Sequence, residues 1–222
     1  MRRIAICFAV QLLFPCALSI YAQALVDLIR DSSRIVTQIQ SNGDHAIPKT
    51  LLERVDCIGV VPATKSAFIV GNRREGVLSC ATVKGWSAPL FFRVEGGSFS
   101  SFADQTLVLL VMNTSTRDQL YQSRLTIGSD ATVAAGPVGR DAFGGTDATM
   151  RAGILSYTFS RGVLAGAVPE GTLIRADDED NFRFYGRLAS PKAILDGEIS
   201  MPTSFQAPPF PPIPPPPPKK RK

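Results

Sequence analysis

The chain has 222 residues, 45% hydrophobic and 19% charged, which suits one globular domain with end pieces and excludes a wholly disordered chain or a polytopic membrane protein. Its formal charge of +5 comes from the ends: Arg2 and Arg3 open the sequence and Lys219, Lys220, Arg221 and Lys222 close it. Between them 18 basic residues face 19 acidic ones, so a chain-wide basic surface for nucleic acid is excluded.

Residues 1–24 read as a secretory signal peptide. Arg2-Arg3 form the positive start, Ile4 to Leu18 is apolar apart from Gln11 and Pro15, and Ala22-Gln23-Ala24 is a small-x-small cleavage site. An uncleaved anchor is the alternative, but about 15 apolar residues fall short of the ~20 that span a bilayer. Phe14-Pro15 before Cys16 does not fit a lipoprotein signal. Export is therefore expected, to the periplasm, the outer-membrane surface or the medium.

Residues 25–39 predict an amphipathic helix, with Leu25, Leu28, Ile29, Ser32, Ile35, Val36 and Ile39 on one face. Such a terminal helix either docks on the body or lies in a lipid interface. Asp27 and Asp31 cancel Arg30 and Arg34, and that balance favours docking. Pro48 opens a shorter helix over 48–54.

From Asp56 the period shortens to β-rich runs separated by turn residues. Strands are expected near 57–61, 67–70, 76–83, 90–95, 106–112, 131–135, 153–159, 164–168, 172–175 and 182–185, with a helix over 115–123. No long helices alternate with the strands. The expected class is α+β: a largely antiparallel twisted sheet or sandwich packed with a few helices, in a single domain over 25–190 with its β-rich core at 55–186. Residues 191–222 read as a disordered, proline-rich basic tail, since the prolines from Pro208 to Pro218 adopt extended polyproline II and lack backbone donors.

After signal removal only Cys57 and Cys80 remain. Both lie in strand-like runs, which allows one disulfide in an oxidising compartment or two buried free thiols. Nothing points to catalysis. His45, the chain's one histidine, sits in a polar linker. Ser98 lacks the second glycine of a nucleophile elbow, and no phosphate-cradling glycine loop is present. Two cysteines and one histidine fall short of four zinc ligands. Asp177–Asn181 offers oxygen donors for Ca²⁺ but no EF-hand loop, and reads as a solvated β-turn. No enzyme and no cofactor is expected.

Several motifs now fall in a recognisable order: Cys57-Ile-Gly-Val-Val-Pro62, Gly85-Trp-Ser-Ala-Pro89, Glu95-Gly-Gly-Ser98, Leu107 to Asn113, and Ile127 to Arg140 with its Gly-Pro-Val-Gly-Arg close. Ile154-Leu-Ser-Tyr157, Ser160-Arg-Gly162, Leu164-Ala-Gly166, Glu170-Gly171 and Asn181…Tyr185-Gly186 complete the series. Over residues 47–186 the chain resembles the SYLF domain, a lipid-binding family that includes fungal actin-binding members. It departs at Ala81, where the family often has Arg, and at Phe99–Thr106, which is shorter. The resemblance implies non-catalytic binding of anionic lipid, phosphoinositides in eukaryotic members.

Basic residues at turns or on the first helix are the candidate lipid contacts: Arg30, Arg34, Lys65, Arg73, Arg74 and Lys84. Lys65, Arg73, Arg74 and Lys84 border adjacent turns and are expected to converge at one end of the sheet. The alternative is an envelope interaction protein that docks partners through the proline-rich basic tail.

Overall fold

The computed structural model describes residues 14–63, 73–96, 104–122, 124–139 and 151–217, with the side chains of the first helix described from residue 22 onward. Helix α1 (Phe14–Ser41) leads, then a short turn at Gly43–His45, α2 (Lys49–Leu52), and strands β1 (Cys57–Val61) and β2 (Arg73–Thr82). Strands β3 (Gly85–Trp86), β4 (Leu90–Glu95) and β5 (Thr106–Val111) follow, then α3 (Thr114–Leu120). After β6 (Arg124–Thr126), β7 (Val133–Ala135), β8 (Ile154–Ser160), β9 (Val163–Gly166) and β10 (Leu173–Ala176) come α4 (Asp178–Tyr185) and α5 (Pro191–Leu195). The predicted strand at 67–70 lies outside the described residues.

One sheet runs β6-β10-β4-β2-β1-β5-β8-β7, with β3 beside β2 and β9 beside β8. Every pairing is antiparallel except β7 with β8. The expected α+β class holds, as a single mostly antiparallel sheet with a few helices. Its central strands β1 and β5 are buried at every position, which is why they read as unbroken apolar runs. Cys57 stands directly opposite Cys80 on β2, and the two form a disulfide. The β8–β9 hairpin closes on Arg161-Gly162, both at positive φ, the backbone a two-residue primed turn requires.

The Gly-Pro-Val-Gly block is a packing device. A Cβ on Gly136 would lie 1.9 Å from the Tyr157 ring, so only glycine lets β8 bring that ring across the chain. The Tyr157 hydroxyl then donates to the Pro137 carbonyl at 3.1 Å.

Helix α1 docks. Leu25, Val26, Ile29, Ser32, Val36 and Ile39 are buried, and the helix packs against β2 and α4. Ile35 is only half-buried, while Arg30 and Arg34 face solvent.

Two parts of the sequence reading need correction. Residues 182–185 are not a strand: they finish α4. The acidic run read as a turn is its N-terminus, where the Asp177 side chain accepts from Asp180 N at 3.2 Å. Carboxylates in a first turn suit the positive end of a helix, and Gly186 stops the helix in the left-handed region. Asn181 explains the helix's seat, because its Oδ1 accepts from Phe91 N and its Nδ2 donates to Phe91 O, completing a strand-like pair with β4. Phe184 packs edge-on against Phe91 at 5.0 Å.

The second correction concerns the C-terminal segment, which folds back onto the body over its described part. Ser190 caps α5 and Pro191 starts it. Beyond α5, Phe205 stacks on Phe184 at 4.7 Å, and Phe210 is 3% exposed. A polar clamp seats α5: Arg117 of α3 reaches Asp196 at 2.7 Å and the carbonyls of Ala81 and Leu195. The Tyr121 hydroxyl donates to Asp196 and accepts from Arg117 Nε.

Two outcomes follow for stability. Ile29→Asp, which places a carboxylate at a fully buried site, should lower unfolding free energy by about 2–4 kcal/mol in denaturant melts; an unchanged midpoint would refute docking of α1. Burial, then the Asp196 hydrogen bond, pushes the Tyr121 phenol up to about 12, so the neutral form is favoured in the folded state. That stabilisation is complete below the ordinary value of 10.0 and is lost as pH rises through about 12. Tyr121→Phe should therefore lose less stability than the parent over that alkaline interval.

Candidate functional site

The returning C-terminal segment creates a cleft. Residues 197–213 cross beside the β2–β3 hairpin and, with it, line an open cleft of about 620 Å³. Its lining is mainly apolar, with Trp86, Ile199, Met201, Phe210, Pro211 and Ile213, and Lys84 stands on it as the one charged side chain. Ser33 Oγ on α1 donates to the Pro209 carbonyl at 3.0 Å, and Trp86 Nε1 donates to the Ile213 carbonyl at 2.7 Å. A proline-flanked carbonyl is a good acceptor here because the preset polyproline backbone loses little entropy when the indole captures it.

The hairpin itself is tightly made. Thr82 pairs with Gly85, leaving Val83-Lys84 as the turn. Thr82 Oγ1 donates to the Gly85 carbonyl at 2.8 Å and accepts from Lys84 N at 3.2 Å. Behind it, Ser87 Oγ accepts from Cys80 N at 3.0 Å, which ties the segment after β3 to the disulfide-bearing strand.

The candidate cations whose side chains are described, Arg30, Arg34, Arg74 and Lys84, do not form one patch. Arg30 pairs with Asp27 and Arg34 with Asp31, both on the exposed face of α1, and such surface pairs contribute little. Lys65 lies outside the described residues, as does the Arg73 side chain. Arg73 and Arg74 open β2, whereas Lys84 follows its far end. β2 is ten residues long, so its two ends lie about 30 Å apart, and Arg73 and Arg74 do not converge with Lys84 as expected.

Arg74 is no surface contact at all. It is 5% exposed, and its guanidinium donates to the carbonyls of Val61, Pro62 and Gln105, joining the end of β1 to the approach to β5. Burial lowers its pKa to about 10, with Asp104 opposing. Lys84 is exposed and makes no ion pair among the described residues. It is the candidate that meets the cleft.

Sequence reasoning missed most of the site. Trp86 was readable as an anchored aromatic, but its partner lies 127 residues away in a run that looked unfolded. Val83, read as a strand end, is the exposed tip of the hairpin. Arg124 and Arg175, directly opposite each other on β6 and β10 and both exposed, also went unremarked.

Comparison with known proteins points to one family. A family model described as Ysc84, Las17-binding protein actin regulator, matches residues 98–207. LAS seventeen-binding protein 3 of Saccharomyces cerevisiae is 29% identical over 167 residues, covering 72% of this chain and 36% of that protein. The human SH3 domain-containing YSC84-like protein 1 is 27% identical over 195 residues, or 85% of this chain and 56% of that one. The Xenopus laevis protein of the same name is 30% identical over 167 residues, 72% and 50% respectively. The chain thus spans between about a third and just over half of the length of these relatives. The family match runs from before β5 through α5 and ends at Ala207, ahead of the proline run, and with these relatives it shows that the chain belongs to the Ysc84 family, the SYLF-domain proteins.

Proposed function

We propose that this chain is an exported, non-catalytic binder of anionic lipid, phosphatidylserine-like or phosphoinositide-like, at the cell envelope. The observation that carries the reading is the cleft of about 620 Å³, apolar along most of its wall and charged only at Lys84. Hydrocarbon is favoured on the wall and an anionic headgroup at the lysine. The family's lipid-binding members give the same direction.

Two features support export. Among the described side chains of α1, burial begins at Leu25, so removal of residues 1–24 leaves the packed face whole. The Cys57–Cys80 disulfide suits an oxidising compartment. Among the described residues no helix is long and apolar enough to cross a membrane. The actin-regulator role in the family model's description needs a cytosolic filament and does not carry over to an exported chain.

A second reading keeps one observation. Pro214, Pro215 and Pro217 are exposed beyond the anchored Ile213, a short polyproline segment open to an aromatic-lined partner. Truncation must stop after Ile213, because the chain up to that point is part of the packed body.

Flotation tests the main reading. The protein should co-float with phosphatidylserine-containing vesicles and remain behind with phosphatidylcholine alone, and binding should weaken as salt rises. Equal recovery on both vesicle types defeats lipid recognition by charge. N-terminal sequencing of the protein recovered from the envelope fraction should begin at Leu25; retention of Met1 would contradict export by cleavage. Truncation after Ile213 should weaken flotation without abolishing it, since the cleft and Lys84 remain, and complete loss of vesicle binding on that truncation would move the site to the tail.

A further inference from the structure

The geometry points to the β2–β3 hairpin as the edge of the molecule that enters the headgroup layer of an anionic bilayer. This inference rests on the lipid-binding reading and names the element that makes the contact.

Val83 is 90% exposed, the highest value among the exposed large hydrophobic residues described. An aliphatic side chain held out in water is ordinarily a small cost to be avoided at a two-residue turn, where polar residues are favoured. Here the turn is also held in place. The two Thr82 hydrogen bonds fix the loop, and β3 is joined through Ser87 to the buried disulfide strand. The valine is therefore presented on a rigid protrusion.

Its neighbours complete an interfacial set. Lys84, exposed and without an ion pair among the described residues, stands next to it. Trp86 follows two residues later, half-buried, with its indole nitrogen bonded to the Ile213 carbonyl. An apolar tip, a long-stemmed cation and an amphipathic indole are the side-chain types that settle where acyl chains meet headgroups.

The same hydrogen bond fixes where the chain's most basic segment begins. Five prolines separate Ile213 from Lys219, so the first charge of Lys-Lys-Arg-Lys lies within about 20 Å of the anchored carbonyl along the chain. Four cations are thereby tethered to the corner that carries Val83 and Lys84, and a polyanionic surface can satisfy both at once. The occupant follows from shape as well as charge. A convex turn offers no concavity to grip a peptide side chain, whereas a fluid headgroup layer closes around a protrusion.

Trp86 is the chain's one tryptophan, so its emission reports on this corner alone. With the full chain and phosphatidylserine–phosphatidylcholine vesicles, emission should shift to the blue, and brominated acyl chains should quench it. Val83→Asp should weaken vesicle binding about tenfold, as expected for withholding one aliphatic side chain from hydrocarbon. Lys84→Glu should weaken it several-fold, with the difference shrinking at high salt. Val163→Asp, at another exposed aliphatic, on β9 (67% exposed), should bind like the parent. Thermal melts should coincide for all three variants because each site is at the surface.

If the parent binds anionic vesicles while Trp86 stays unquenched and Val83→Asp binds normally, the hairpin is not the contact and the inference fails, though lipid binding stands. If the parent shows no preference for anionic vesicles, the lipid reading fails and takes this one with it. Quenching of Trp86 in the unmutated protein decides the matter even if a variant proves unstable.

Discussion

A sheet whose central strands are buried on both faces has to be covered on both, and that requirement organises this molecule. β1 and β5 bury every residue, so no face of the middle of the sheet is left to water. The chain offers few long helices for cover. α1 supplies one, α4 a second through Phe184, α5 a third through Ile194 and Leu195, and residues 199–213 add Ile199, Phe205 and Phe210. The cover is worth having because each apolar side chain removed from water contributes on the order of 1.5–3 kcal/mol. A proline-rich segment can do this work since its bends cost little further entropy, and its unpaired carbonyls find donors in Ser33 and Trp86.

Much of the fold was legible. Apart from the short β3 and β6, the strands from Cys57–Val61 to Leu173–Ala176 follow from β-rich runs cut by glycine-containing turns, and helix α1 from its apolar face. What was not legible shares one cause. Residues 182–185 carry aromatic residues that suit strand and helix equally, and the deciding signals, Asp177 as cap and Gly186 as stop, were read as turn chemistry. The C-terminal segment looked unstructured because composition is local, whereas its partners Ser33 and Trp86 are more than 120 residues away. Arg74 shows the same limit from the other side: a charged residue near a turn reads as surface until three carbonyls are seen around it.

The candidate site is a by-product of that cover. Where the returning segment bridges from α5 to Trp86 it leaves a space rather than a seal, and the space is walled by apolar side chains with Lys84 at its margin. The hydrogen-bond clamp among Arg117, Tyr121 and Asp196 is what holds α5, and hence one wall of the cleft, at the correct height. Cleft and hairpin thus meet along one hydrogen-bonded return path. The sequence displayed Trp86 and the prolines, but not their common corner.

The disulfide has a consequence of a topological kind. Cys57 and Cys80 bracket the segment between them, 23 positions apart, and join strands that already lie side by side. A protease that cuts anywhere between the two cysteines leaves two fragments that are still one molecule. α1 and β1 then remain covalently fastened to β2 and all that follows it. Wherever proteases meet the chain, such a nicked molecule keeps its two halves joined until a reductant separates them.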